Sequence, residues 1–360
     1  MTPSNVAPSG APPGILDTEG MFAATAGLPE QMEQAAEAAR GVAFAAGLPT
    51  GPTIENVIVL GMGGSGIAGD VLAATAAPLL PVPISVVKSY ECPAFAGEGS
   101  LVFAISASGE TEETLEGVSE ATVAGANVVA ITKGGQLAQL AAGWDAAIIP
   151  VPQELPQPRT ALGAMAIPPL IVLEEVGLFP GAHAWIARAV EQLKRRRDGL
   201  VAAGDKSDAA EIARQIGRTV PLVQGGGAVG ATAAQRWKTQ VNENAKSPAF
   251  SSAQPELCHN EVCGWGQHGD VTRQILTLVQ LRHDGEHPQV SRRFQLVEEL
   301  MREVVAGIVA VRAEGDGDLA QLLDLILMGD FVSLWLAAHE GIDPGPVPVL
   351  LDLKRQLASP

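Results

Sequence analysis

The sequence predicts an α/β fold with two related halves, each a parallel sheet flanked by helices. Three observations predict it. Short apolar runs alternate with helical stretches along most of the 360 residues, the pattern of strands joined by crossover helices. A glycine-rich turn follows a strand-like run twice, starting about 160 residues apart, as an internal duplication would place it. The chain is also too long for one core of ordinary size, so two domains are expected.

In order, residues 20–46 are Ala-rich and helical. Residues 56–60 form a strand that ends in Gly61-Met62-Gly63-Gly64-Ser65-Gly66, and a helix is expected over 67–77. Strands follow at 84–87, 101–105, 128–131 and 146–150. The third ends in Ser106-Ala107-Ser108-Gly109-Glu110-Thr111, with a helix from Glu112. A Pro-rich connector at 153–160 leads to helices at 161–175 and 184–203. The basic run 194–197 in the latter reads as a solvated helix face. The second cycle has a strand at 220–224, the glycines 225–227 and a helix at 231–239. Strands at 274–282 and 307–311 and helices at 292–304 and 320–340 complete it. The expected division is a flexible tail over 1–19, a first domain at 20–152 and connector and helices at 153–215. A second domain covers 216–345, and a C-terminal helix covers 346–360.

Composition narrows the function. Hydrophobic residues make up 47% and charged residues 18%, which supports a large core and excludes wholesale disorder. A net charge of −17 argues against a nucleic-acid partner, which needs clustered Lys and Arg. It permits a small anion held by backbone N–H groups at a helix start. Three cysteines give no even disulfide framework and fit a reducing, cytoplasmic setting. The N-terminus lacks the basic start and apolar run of a signal peptide. The apolar stretch 319–338 holds Asp324 and Asp330, so a buried helix is expected there and no membrane partner.

Gly61, Gly63 and Gly66 satisfy the dinucleotide spacing G-x-G-x-x-G. The second strand, however, ends in Lys88-Ser89-Tyr90 where that site wants an acid. A purely structural turn fits the glycines as well. Ser106, Ser108 and Thr111 put three hydroxyls at one helix start, which suits an anion; a surplus N-cap is the alternative. Cys258, His259, Cys263 and His268 suggest zinc, but their spacing lacks paired C-x₂-C ligands, so no metal and no cofactor are expected.

The two loops together resemble the sugar isomerase (SIS) domain. Asn242-Glu243-Asn244-Ala245-Lys246 and Pro255-Glu256-Leu257-Cys258-His259-Asn260-Glu261 resemble signature segments of bifunctional phosphoglucose/phosphomannose isomerases. Gln157-Pro158-Arg159-Thr160-Ala161-Leu162 and Asp352-Leu353-Lys354-Arg355 are similar to the same family, and the likeness runs from about residue 50 to the end. Cys258 departs from it, standing where the family more often has a polar residue.

The resemblance implies two SIS domains of flavodoxin-like, three-layer form. It implies an aldose–ketose isomerase interconverting glucose 6-phosphate and mannose 6-phosphate with fructose 6-phosphate. Ser106, Ser108 and Thr111 would hold the phosphate, and Gly63, Gly64 and Ser65 would line the sugar. Arg159 would stabilise the enediolate and Glu243 would move the proton between C1 and C2. His259, from the partner subunit of a homodimer, would assist ring opening, and Lys354 would close the site. These residue types suit the chemistry: one carboxylate within reach of two carbons, fixed positive charge on the developing oxyanion, and a group that titrates near neutrality. Two rivals remain at this level: a sugar-phosphate-binding regulator of the same fold, and an isomerase for another sugar phosphate.

Overall fold

The computed structural model describes residues 10–357. The first sheet holds β1 (Asn56–Leu60), β2 (Ile84–Val87), β3 (Ser100–Ser106), β4 (Asn127–Thr132) and β5 (Ala147–Pro150), all parallel, in the order β2-β1-β3-β4-β5. Every residue of β1 and β3 is buried, which is why 57–60 and 101–105 read as apolar runs. The second sheet holds β6 (Val220–Gly226), β7 (Phe250–Gln254), β8 (Leu276–Arg282) and β9 (Gly307–Arg312), again parallel, in the order β7-β6-β8-β9. The two orders match strand for strand except for β5, so the duplication expected from the glycine turns is present in the topology. In each half the chain leaves the first strand to one side and returns on the other. A crevice therefore opens above the C-terminal ends of β1 and β3, where ligands sit in such sheets.

The helices are α1 (Met21–Ala26), α2 (Leu28–Ala39), α3 (Val42–Ala45), α4 (Gly63–Ala76), α5 (Glu112–Val123), α6 (Gly135–Gly143) and α7 (Leu162–Glu175). Then follow α8 (Ala182–Ala203), α9 (Asp208–Ile216), α10 (Gly227–Asn244), α11 (Gly269–Ile275), α12 (Pro288–Met301), α13 (Asp318–His339) and α14 (Pro348–Leu357). Helix α12 starts earlier than expected because Pro288 takes the first helical position and the His287 ring accepts from the Gln289 N–H. Helix α4 packs on α7 and α10, and α10 packs on α13, so the two halves share one helical layer. Residues 319–337 of α13 are all buried. This helix is long and apolar enough to cross a membrane, yet its apolar stretch lies inside the fold. At its middle Gly329 admits the Trp237 indole, whose Nε1 donates to the Leu325 carbonyl at 2.7 Å.

The basic run on α8 is not the solvated face expected of it. Four successive helical positions sweep about 300° around the axis, so some must face inward. Arg196 and Arg197 side chains are only 14% and 13% exposed. Arg197 donates to the Ala26 carbonyl and pairs with Glu30; Arg196 pairs with Glu314 from the second half. Together they strap α8 to the N-terminal helices and to the segment after β9. The expected tail also needs correction. Positions 1–9 lie outside the described residues, but 10–19 carry fixed contacts. Asp17 accepts from the Met21 and Phe22 N–H groups at 2.7 and 3.1 Å, satisfying the start of α1. Thr18 Oγ1 donates to Asp343 Oδ2 at 2.5 Å, and Glu19 accepts from Gln157 Nε2 at 2.6 Å.

Candidate active site

The chain turns off β1 through Gly61 and Met62, and α4 begins at Gly63, four residues earlier than expected. The glycines make this possible. A Cβ on Gly61 would lie 3.1 Å from the Ile105 carbonyl oxygen, and one on Gly66 would lie 2.8 Å from the Gly61 oxygen and 2.9 Å from Lys88 Cε. Gly63 itself has φ of +53°. Lys88, at the end of β2, crosses Gly66 and pairs with Asp70, filling the place where a dinucleotide site would carry an acid. Met62 gives α4 no side-chain cap, so no side chain satisfies the N–H groups at its exposed start. Ser65 is turned inward: its hydroxyl meets Met165 Sδ at 3.3 Å and its N–H donates to the Met62 carbonyl.

The hydroxyl loop lies beside this turn, at the end of β3. Ser106 is fully buried, with its Oγ 2.8 Å from Thr111 Oγ1 and accepting from the Gly109 N–H at 3.0 Å. One hydrogen bond between two hydroxyls uses one proton, so the other remains free to donate. Ser108 is exposed and its Oγ accepts from the Glu110 N–H. The loop is braced by the one after β4: the Gln136 N–H donates to Glu110 Oε1, and the Leu137 N–H to the Gly109 carbonyl, both at 2.9 Å. Gly109 has φ of +73°, and a Cβ there would fall 1.9 Å from the Gly134 oxygen. Gly109→Ala is therefore expected to displace the loop, costing about 1–3 kcal/mol of stability. It should also weaken inorganic phosphate binding at least tenfold; calorimetric titration and denaturant unfolding check both.

The third component is a fixed arginine. Arg159 sits on the short 3₁₀ turn Pro158–Thr160 and is 3% exposed. Its Nε donates to Asn244 Oδ1 at 2.8 Å and its Nη1 to Gln157 Oε1 at 3.1 Å. Its Nη2 donates to the Pro344 and Gly345 carbonyls, each at 2.7 Å. Nη1 also lies 3.5 Å from Glu243 Oε2, so all five guanidinium N–H groups have an acceptor direction. Desolvation pulls the Arg159 pKa down, and the Glu243 carboxylate opposes it. Helical spacing explains the rest. Arg236, Gln240 and Asn244 recur every four residues on the buried face of α10, and Glu243 falls at its edge with a side chain 29% exposed. Below, Arg236 donates to the Arg159 carbonyl at 2.7 Å and forms a two-pronged pair with Asp330 at 2.9 and 2.8 Å. Burial raises the Asp330 pKa, although Arg236 works against it.

These pieces are neighbours. A Cβ on Gly64 would lie 3.4 Å from Arg159 Cα, and Gly61 abuts both Ser65 and the residue preceding Ser106. The turn after β1 thus meets Arg159 through Gly64 and the strand before the hydroxyl loop through Gly61, and Arg159 meets Glu243. His259 and Lys354 do not join them within one chain. His259 is exposed on the 3₁₀ turn Glu256–His259 after β7, and α14, which carries Lys354, is exposed along its length. Cys258 meets Gln254 Oε1 at 3.1 Å, and no group of three or more His, Cys, Asp or Glu among the described residues is arranged to hold a metal. Sequence reasoning passed over Asn244, Gln157 and Lys246. All three lie inside the quoted motifs, next to or near the charged residue chosen from each.

Family models match both halves of the chain. Residues 54–154 match the SIS domain, and residues 205–357 match the bacterial phospho-glucose isomerase C-terminal SIS domain. A bifunctional phosphoglucose/phosphomannose isomerase of Caldicellulosiruptor bescii is 33% identical over 342 residues, 94% of this chain and 99% of that one. One from Aquifex aeolicus is 34% identical over 304 residues, 84% and 90% of the two chains. Among solved structures, tagatose-6-phosphate ketose/aldose isomerase from Escherichia coli superposes with a TM-score of 0.69 at 16% identity, covering 90% of this chain and 94% of that one, a likeness of fold. The chain belongs to the bifunctional phosphoglucose/phosphomannose isomerase family.

Proposed function

We propose that the chain interconverts glucose 6-phosphate and mannose 6-phosphate with fructose 6-phosphate through a cis-enediolate. The observation that carries this is the partly exposed Glu243 carboxylate 3.5 Å from a buried, fully anchored Arg159. Glu243 takes the proton from one of the two adjacent carbons and returns it to the other. Arg159, already oriented, stabilises the charge that grows on the enediolate oxygen at little reorganisation cost. Ser106, Ser108 and Thr111 hold the phosphate, and the backbone at Gly63–Ser65 lines the sugar, so binding energy far from the reacting carbons supplies orientation. The two aldoses differ only at C2, which is flat in the enediolate, so one base serves both.

The phosphate loop belongs to a first domain over 20–152, Arg159 to the connector and Glu243 to a second domain over 216–345. A homodimer supplies what one chain lacks: His259 of the partner subunit for ring opening, and α14 closing with Lys354. Val349, Leu351, Leu353 and Leu357 are more than half exposed on α14, apolar surface that a second copy would cover. The setting is cytoplasmic. Purified protein should form fructose 6-phosphate from both glucose and mannose 6-phosphates in a coupled assay, with arabinose 5-phosphate as the pentose control. Turnover of neither hexose phosphate would sink the proposal.

A further inference from the structure

We propose that Lys246 is a positioning residue of this site, bracing the turn from which the Arg159 guanidinium hangs. The proposal rests on the roles just given to Arg159 and Glu243. Helix α10 ends at Asn244, Ala245 caps it, and Lys246 follows with φ of +54°. Just past a helix end, glycine ordinarily supplies this left-handed turn. A longer side chain is disfavoured there because its Cβ crowds the following carbonyl. Among the described residues only Asp145 and Lys246 adopt positive φ without being glycine. Asp tolerates the conformation through local hydrogen bonds; lysine has no such compensation in its own backbone.

The compensation comes from the far end of the side chain. Lys246 Nζ donates to the Glu243 carbonyl and, at 3.1 Å, to the Pro344 carbonyl. The Pro344 oxygen is also one of the two that receive Arg159 Nη2. One carbonyl therefore carries both cations, and Lys246 ties it back to the last turn of the helix that bears Glu243. The neighbouring residues of that turn have their own supports. Asp343 accepts from Thr18 and from the Gly345 N–H, and Glu19 lies over Gly345, where a Cβ would meet it at 2.8 Å. Among the described side chains, Arg159 and Lys246 are the donors to Pro344. Without the lysine, the carbonyl that orients Arg159 loses its tie to the last turn of α10, and from that helix only the Asn244 side chain still holds the guanidinium at its 3.5 Å spacing from Glu243. Desolvation and Arg159 lower the Lys246 pKa while Asp343, Glu243 and Glu19 oppose that, as befits a cation packed into this cluster.

The backbone conformation gives a test that separates positioning from stability. Glycine and asparagine both accept φ near +54°, so Lys246→Gly and Lys246→Asn should leave the thermal midpoint unchanged or raised. Their kcat for both epimers should fall about ten- to a hundredfold with KM within about threefold, the signature of an interaction used in the transition state. Lys246→Arg, which keeps a donor, should recover most of that loss. The Arg159 Nε–H resonance in ¹⁵N-arginine-labelled protein should be sharp in the wild type and broadened in Lys246→Gly. Wild-type kcat in the glycine variant, an unchanged Arg159 resonance, or a thermal midpoint that falls in step with activity in both variants overturns the proposal. The resonance is read without substrate. A wild-type chain inactive on both sugar phosphates would therefore strike the proposed function and leave this inference to be judged by the resonance.

Discussion

Glu243→Gln should lower kcat for glucose and mannose 6-phosphates by about 10²–10⁴-fold, the usual contribution of a positioned general base. The substitution keeps the shape of the side chain and leaves an amide oxygen that can still face Arg159 Nη1, so folding should be unaffected. The hydroxyls proposed for the phosphate lie in the loop after β3 and share no hydrogen bond with the Glu243 carboxylate. Binding of a non-reacting sugar phosphate should therefore stay within about threefold of wild type, since the lost interaction is used in proton transfer. Steady-state kinetics and calorimetric titration on one preparation separate the two effects. Unchanged turnover would remove the base from the mechanism; lost binding with lost turnover would recast Glu243 as a ligand-holding residue.

Asp330→Ala should destabilise the protein by about 3–5 kcal/mol, because it strands a buried guanidinium. Arg236 is 1% exposed, and the Asp330 carboxylate takes both its Nε and its Nη2. Replacing both partners by leucine removes the stranded charge, so the double variant should be more stable than Asp330→Ala. The pair also bears on the site, since Arg236 Nη2 holds the Arg159 carbonyl and Ser333, one turn along α13, holds Asn244. The double variant should therefore regain stability and remain slow. Denaturant unfolding with kinetics on the same samples checks this; a double variant less stable than Asp330→Ala contradicts the account of the pair.

The fold was legible where burial is two-sided. β1 and β3 have apolar interiors, 57–60 and 101–105, and lead into loops that contain glycine, so their place could be read directly. β7, with the sequence Phe-Ser-Ser-Ala-Gln, was not, because an edge strand with polar positions has no such run. The start of α4 was placed late because glycines argue against helix in isolation, whereas here they let the helix leave β1 at close range to β3 and Lys88. The inward turn of Arg196 and Arg197 depended on acids more than 110 residues away in one direction and 160 in the other, which no local window contains.

The same division holds for the site. Glu243 and Arg159 were chosen from motifs 84 residues apart, and their pairing was invisible until α10 and the 3₁₀ turn were placed side by side. Asn244 and Lys246 were quoted in the same motif and given no role. Asn244 looks like a helix-end residue, and the left-handed turn at Lys246 carries no signature in composition. For Ser65 the family resemblance implied a sugar contact, but two helical positions past Gly63, about 200° of rotation, its hydroxyl is aimed at Met165. His259 and Lys354 lie away from the cluster in a single chain, so their proposed roles depend on assembly.

The central claim is that a carboxylate carries the hydrogen between the two carbons as a proton, and isomerisation of fructose 6-phosphate in D₂O tests it most directly. A proton held by Glu243 exchanges with solvent during some turnovers, so mass spectrometry and NMR should find deuterium at C2 of both the glucose and the mannose 6-phosphates formed. Aldose products that carried no deuterium at C2 at any extent of reaction would mean direct hydride transfer between the carbons, and would contradict the account.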